Sequence, residues 1–355
     1  MKRIGNLYEK IISLDNLRRA DEKARRGKLH SYGVQVHDRN REANLLALHE
    51  ALLTKTFKTS RYEVFTVFEP KERLIYRLPY YPDRIVHHAI MNVLEPIWVS
   101  IFPHNTYSCI KGRGIHGAMK RVRKIMGDRE NSRYCLKIDI RKFYPSIDHT
   151  VIKRIIRRKI KCRNTLWLLD EIIDSVNGSP DPLDKTKKCQ GRSLPIGNYL
   201  SQYLANLVLS YLLHRINEET GIKGAVYADD GVFYASTAGL LHKLRAFLDK
   251  TLWEELKLTL KDNWQIFPVA WNRYDKSGRG VDFVGFVFYH NQTCIRKSIK
   301  RNFCRAAARQ NRRSPPMSAK AYKQGICSWL GWAKYSNSRH LLKTIVKPQY
   351  YASIL

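Results

Sequence analysis

The sequence predicts an α+β fold, one body of mixed helices and strands followed by a basic helical appendage. Three observations predict it. Apolar residues recur at helical spacing through most of the chain, and short period-two runs interrupt them. No repeat, low-complexity segment or extended linker divides the 355 residues. Strands mixed with helices come first and a helical run closes the chain, the order of an α+β body with an appendage. A chain that long and 44 % hydrophobic has ample material for a core and for two or three subdomains.

Each element has its own signal. Leu7, Ile11, Ile12 and Leu17 recur at helical spacing, and "NREANLLALHEALL" repeats the pattern within residues 1–50. Over residues 60–80, Val64, Thr66 and Phe68 alternate with Phe65 and Val67, so strands are expected, with "EPKE" as the turn. "DRIVHHAIMNVLEPIW" predicts an amphipathic helix with Ile85, Ala89, Val93 and Ile97 on one face, and "KGRGIHGAMKRVRKIM" a glycine-rich loop entering another. Tyr134 to Ile140 reads as a strand, and Asp148 as the N-cap of a basic helix. "NGSPDPLDKTKKCQGRSLPIG" is a loop, "NYLSQYLANLVLSYLLHRI" a long, largely buried helix, "GAVYADDGVFYAS" two short strands, "GLLHKLRAFLDKTLWEELKL" a helix and "GVDFVGFVFY" a strand pair.

Charge narrows the partner class. There are 64 Lys and Arg against 31 Asp and Glu, a net charge of +33 that repels itself unless a polyanion screens it. From Phe283 to Leu355 there is no acidic residue, while fourteen Lys or Arg lie between Arg296 and Lys347. Tyr322, Trp329, Trp332 and Tyr335 are interleaved with them, the composition of a nucleic-acid-facing tail. For at least half of the tryptophans, core packing of a helical bundle is the expected role instead. The seven cysteines (109, 135, 162, 189, 294, 304 and 327) form no CxxC pair, which fits a reducing compartment without zinc or disulfides. No apolar run has the length of a signal-peptide core or of a membrane span, so a cytoplasmic protein is expected.

The chemistry is carried by acids in apolar surroundings. In "VYADDGVFYA" two β-rich arms flank Asp229 and Asp230, and the Asp-Gly step signals a tight turn with both acids at its tip. Two adjacent carboxylates need a counter-charge. A divalent cation is the natural one, since Mg²⁺ binds through one or two carboxylates plus substrate phosphates. Asp139 is the lone acid in "CLKIDI"; capping the next turn is its alternative role. Together, Asp139 and the later hairpin make the arrangement that two-metal phosphoryl transfer needs.

These residues resemble a reverse transcriptase. "RLIYRLPYYPDRIVHHAI" and "TYSCIKGRGIHGAM" resemble the two fingers motifs, "LKIDIRKFYPSID" and "YADD" the catalytic palm motifs, and "LPIGNYLSQYLANLVL" the palm helix. "LKLTLK" resembles the lysine-bearing turn and "FVGFVF" the primer grip. The resemblance covers roughly residues 55–290. It implies a right-hand polymerase fold: an N-terminal helical extension (1–54), fingers (55–135), a palm with an antiparallel sheet and packed helices (136–290, with a finger insertion near 150–195) and a helical thumb (291–355). Where group II intron enzymes and retrons usually carry Gln-Gly and Ser-Pro, this chain has Ile196-Gly197 and Ser201-Gln202. That pattern, the N-terminal segment and "SWLGWAKYSNSRHL" resemble the reverse transcriptases of diversity-generating retroelements, within the group II intron-like family.

The narrower resemblance implies an enzyme, bacterial or phage-encoded, that copies a template-repeat RNA into cDNA with adenine-directed errors and so diversifies a target gene. Its implied partners are that RNA, the RNA/cDNA duplex, dNTPs and a small basic accessory variability protein that is pentameric, with no membrane. Two Mg²⁺ ions, with Mn²⁺ as an alternative, would be held by Asp139, Asp229, Asp230 and the Ile140 carbonyl. The dNTP would meet Arg73, Lys111, Arg113, Arg141, Lys142, Phe143, Tyr144, Ile196, Gly197 and Gln202, with Tyr144 at the steric-gate position. Lys111 or Arg113 would do the work of an arginine that the family often has where Ile110 stands. Tyr227, Ala228, Lys257 or Lys261, Phe283, Val284 and Gly285 would hold template and primer. Ala228 is small where many relatives have Met or Val, and Ile196 cannot hydrogen-bond where accurate relatives have Gln. The remaining alternatives are a general retroelement or CRISPR-associated reverse transcriptase without mutagenic role, and a catalytically inactive RNA-binding protein.

Overall fold

The structure is a computed structural model that describes residues 3–68, 71–313, 318–352 and 354. In chain order the first elements are helices α1 (Tyr8–Ile12), α2 (Leu14–Ala24), α3 (Tyr32–Asp38) and α4 (Arg41–Leu53), then strands β1 (Glu63–Phe68) and β2 (Glu72–Arg77). Next come α5 (Ile85–Ile101), β3 (Thr106–Tyr107), α6 (Ile115–Met126), β4 (Tyr134–Asp139), α7 (Phe143–Ser146), α8 (His149–Lys159), α9 (Arg163–Asp174) and α10 (Tyr199–Glu219). β5 (Lys223–Tyr227), β6 (Asp230–Ala235), α11 (Ala238–Thr251), β7 (Gln265–Pro268), β8 (Val281–Phe283), β9 (Phe286–Phe288) and β10 (Thr293–Ile295) follow. Helices α12 (Lys297–Asn311), α13 (Ala319–Lys334), α14 (Arg339–Ile345) and α15 (Pro348–Tyr351) end the chain. The contacts divide into two compact units, one of residues 1–109, 140–219 and 247–261, the other of 110–139, 220–246 and 262–355.

In the first unit, the amino-terminal helices pack against α5, and Leu7, Ile11, Ile12 and Leu17 are all buried. Asn16 is buried too, and its amide donates to the carbonyls of Ile11 (2.8 Å) and Ala89 (3.0 Å), which joins α2 to α5 without an orphaned polar group. The face of α5 differs from the expectation. Ile85 and Ala89 are buried, but Val93 and Ile97 are only half-buried, and the buried stripe runs through Ile90, Leu94 and Trp98. The cause is packing on two sides, by α2 and by α10, so no single stripe describes the helix. Helix α10 also packs on α8 and is buried around most of its circumference, as its continuous apolar run predicts. Asp148 caps α8, accepting from the backbone N–H groups of Thr150 and Val151. Strands β1 and β2 form an antiparallel hairpin in register from Glu63↔Arg77 to Phe68↔Glu72. Of the expected "EPKE" turn, Glu69 and Pro70 lie outside the described residues.

In the second unit, β5, β6, β4 and β7 form an antiparallel sheet in that order, with α6 packed on β5. Strands β8, β9 and β10 form a second sheet, and α12–α15 enclose a core of Phe303, Tyr322, Ile326 and Tyr350. The tail aromatics serve that core more than a stacking surface. Tyr322 is buried against Tyr350 with ring centroids 4.2 Å apart, Trp329 stacks on Phe303 at 6.3 Å, and Trp332 meets Phe286 at 5.0 Å. For Tyr322 the expectation of a nucleic-acid face is corrected to bundle packing, while Trp329 and Trp332 take the core-packing role open to the tryptophans. Tyr335 lies 4.1 Å from the ring of His116.

Candidate active site

Strand register builds the site. β4 and β6 pair antiparallel with Asp139 directly opposite Asp230, and Tyr227 of β5 faces Asp230 from the other side. Directly opposed residues project to the same face with Cβ atoms about 5 Å apart, so two carboxylates share one spot at the sheet's end. The two-residue turn consists of Ala228 and Asp229, and Asp230 is the first residue of β6. This corrects the expected tip at Asp229 and Asp230. The Asp-Gly step is not the turn, and the positive backbone angle falls on Ala228 (φ 52°). Pairing Asp230 with Asp139 fixes the ladder one residue earlier than local turn preference suggests.

The electrostatics follow from burial. The Asp230 carboxyl is pushed up to about 6, first by burial, then by the charges of Asp139 and Asp229, while Lys137 and Arg296 oppose the rise. Its Oδ1 is buried and has no hydrogen-bond partner among the described residues. Lys137 lies two residues before Asp139 on the same face of β4, and its Nζ donates to the Asp282 carbonyl at 2.5 Å. Arg296 Nε donates to Asp282 Oδ1 at 2.6 Å. Neither cation was among the expected site residues. The period-two spacing of Lys137 and Asp139 could have revealed the first, whereas nothing in the sequence ties Arg296 to this sheet.

Among the described residues, no three His, Cys, Asp or Glu side chains converge into a ready-made cation cage. The donors fit a hard divalent cation even so. They are all oxygens, and one is buried and unsatisfied. Mg²⁺ needs only one or two carboxylates when substrate phosphates complete its shell.

The other expected residues are distributed over both units. In the second unit, Lys111 is exposed and Arg113 half-buried in the loop that enters α6, and Ile110 is buried. Phe283 and Phe286 close the β8–β9 hairpin across Val284 (φ 43°) and Gly285 (φ 85°), both left-handed as a type I′ turn requires. In the first unit, Arg73 is exposed on β2. Beyond Asp139 the chain bridges Ile140 to Leu260, exposes Arg141 and Lys142, and turns at Lys142 (φ 44°) into α7. Phe143 is buried, and the half-buried Tyr144 meets it edge-on at 5.7 Å and accepts at its carbonyl from Leu194 N–H.

The Ile196 carbonyl accepts from Tyr76 N–H at 2.9 Å, and its side chain is half-buried. At Gly197 (φ 116°) a Cβ would stand 3.1 Å from the Tyr76 carbonyl oxygen, so the tight approach of loop to strand needs glycine. Gln202 is exposed in the first turn of α10. Lys257 is engaged in an ion pair with Asp148 at 2.8 Å, and Lys261 is half-buried.

The chain is similar to several known proteins. Protein YkfC of Escherichia coli K12 is 24 % identical over 200 residues, 56 % of this chain and 47 % of its own. The group II intron-encoded protein LtrA of Lactococcus lactis subsp. cremoris is 26 % identical over 135 residues, 38 % of this chain and 21 % of its own. The chain thus spans at most about half the length of these two relatives. Among solved structures, apo telomerase from Candida tropicalis truncated from its C-terminal domain superposes with a TM-score of 0.50 at 10 % identity, covering 68 % of this chain and 55 % of that one. Telomerase from Candida albicans in complex with a TWJ fragment of telomeric RNA gives 0.50 at 10 % identity, covering 84 % and 60 %. These likenesses show the fold, the right-hand polymerase fold expected from the sequence. Residues 69–267, more than half the chain, match the family described as reverse transcriptase (RNA-dependent DNA polymerase), and the chain belongs to that family.

Proposed function

We propose that the chain is an RNA-directed DNA polymerase that copies a template-repeat RNA into cDNA with adenine-directed errors. The observation that carries the polymerase reading is the register of Asp139 opposite Asp230 beside the Asp229 turn. In this reading Asp139, Asp229, Asp230 and the Ile140 carbonyl hold two Mg²⁺ ions. When bound, the cations lower the pKa of the primer 3′-hydroxyl and offset charge on the attacked phosphate. Arg73, Lys111 and Arg113 bind the triphosphate as guanidinium and ammonium donors. Tyr144 excludes a ribose 2′-hydroxyl, and Phe283, Val284 and Gly285 orient the primer end. The template-repeat RNA, the RNA/cDNA duplex and a small basic pentameric accessory protein are the proposed partners.

The mutagenic role rests on Ile196. Its carbonyl is committed to Tyr76 and its side chain has no polar atom, so it offers the nucleotide no side-chain hydrogen bond. The similarity to LtrA favours a second reading, a group II intron-type retroelement enzyme without directed errors. Primer extension on an RNA template with Mg²⁺ tests both. Asp229→Ala should abolish extension, and equal activity would refute the site. Sequencing the cDNA should show errors opposite adenine that Ile196→Gln reduces. A flat error spectrum in both proteins selects the second reading.

A further inference from the structure

We propose that the amino-terminal helices close a phosphodiester-binding pocket, in which Lys23, Arg26, Lys28, Arg84 and His87 take one backbone phosphate of a single-stranded RNA. The pocket is a cavity of about 390 Å³ at the amino end of α10, and Asn198, Tyr199 and Gln202 are also among its lining residues. No acidic side chain lines it. Among the described residues none of the four cations takes part in an ion pair, although acids are close in sequence. At the carboxyl end of α2, Arg25 pairs with Asp21 at 2.8 Å and with Asp38 at 2.7 Å, and Arg41 takes Asp21 as well. The fold therefore neutralises one set of cations and leaves the neighbouring set lining a cavity without an acidic partner, Lys23 donating to the neutral Asn92 Oδ1 at 2.6 Å. That crowding is felt: Lys28 is held below its ordinary value by burial and by Arg84, and Arg84 by burial and by Arg77.

His87 gives the independent sign of a ligand. It is 3 % exposed, it lines this cavity, and its Nε2 is buried without a hydrogen-bond partner. An orphaned buried polar atom is costly unless something enters to meet it. A phosphate oxygen would accept from a neutral imidazole protonated at Nε2, and the cations and the positive end of the 21-residue α10 would hold the charge. His88 stacks on Tyr199 at 4.6 Å and braces the same wall. A nucleoside triphosphate also offers phosphate, but it brings a divalent cation, and a lining with no carboxylate has nothing to bind that ion. A metal-free phosphodiester matches the donors better. The inference rests on the proposed polymerase only in naming the strand as RNA.

The test is fluorescence anisotropy of a labelled mixed-sequence single-stranded RNA, without dNTP or divalent cation, across a salt series. The triple variant Lys23→Ala/Arg26→Ala/Lys28→Ala should bind about tenfold more weakly and lose about 0.7 from the slope of log K against log salt, one phosphate's worth on a single strand. His87→Gln should weaken binding with the slope unchanged. A control triple at exposed lysines elsewhere, Lys55→Ala/Lys120→Ala/Lys250→Ala, should leave affinity and slope at wild-type values. Equal losses in the control, or unchanged affinity in either pocket variant, would overturn the proposal. So would a raised dNTP KM in primer extension with RNA affinity intact, which assigns the pocket to the nucleotide. Asp229→Ala should bind RNA normally, so a failure of extension speaks only to the proposed polymerase.

Discussion

Asp230 shows how one residue sets function against stability. Its carboxyl is buried, lacks a hydrogen-bond partner at Oδ1 among the described residues, and faces Asp139 across the strands. Without a cation, that charge opposes folding. Asp230→Asn keeps the shape and removes the charge, so at neutral pH in EDTA it should raise stability by about 1–3 kcal/mol by denaturant unfolding while primer extension falls sharply. An unchanged or lower stability would show that Lys137 and Arg296 already compensate the acid. His87 gives the pH dependence. Burial, then the neighbouring His88 and Arg84, holds its imidazole down to about 3. The folded value lies below the ordinary 6.5, so the stability is fully present above 6.5 and is lost as pH falls from there towards 3. Melting curves across that range should fall more steeply for the wild type than for His87→Gln, and parallel curves would count against this assignment.

At the scale of elements, the sequence was most legible where one face is buried and one rule applies. β4 is read correctly because Leu136 and Ile138 are buried on one face of a run that holds a single acid, and α8 because Asp148 is an N-cap by chemistry and by position. It was least legible where a partner overrules local preference. The Asp230-Gly231 step favours a turn, yet β6 begins at Asp230 because β4 captures it there. The stripe on α5 moves to Ile90, Leu94 and Trp98 because two helices press on it, and a one-face pattern cannot report two neighbours. The β8–β9 hairpin offers a sharp test. Gly285 has φ 85°, and a Cβ there would stand 2.4 Å from the Trp332 ring. Gly285→Ala therefore meets both an unfavourable backbone region and a clash with a packed indole. It should cost about 2–4 kcal/mol in chemical denaturation, and a loss below about 1 kcal/mol would mean that the indole moves aside.

For the whole molecule, charge is the dominant fact. A net charge of +33 over 355 residues opposes compaction, and a bound polyanion relieves it. RNA should raise the melting temperature at low salt, and the rise should vanish as salt increases, with a slope near −0.7 per phosphate contacted on a single strand. A salt-independent rise would point to non-ionic contacts. Composition predicted this class of partner, but not how the cations are apportioned. Several are tied up internally, as Lys257 is by Asp148 and Arg25 by Asp21, and only the fold separates those from the unpaired set around His87.

The turn between β5 and β6 has a further consequence. Because Ala228 sits at φ 52°, handedness as well as bulk limits what can replace it. Alanine already carries the left-handed penalty of about 1–2 kcal/mol that any Cβ incurs there, and a β-branched side chain such as valine would add to it. To accept it, the loop would have to flip its peptide planes and re-aim Asp229. Position 228 thus holds the hand of the turn that aims Asp229, and a β-branched residue there tests backbone strain before it tests fit to a primer.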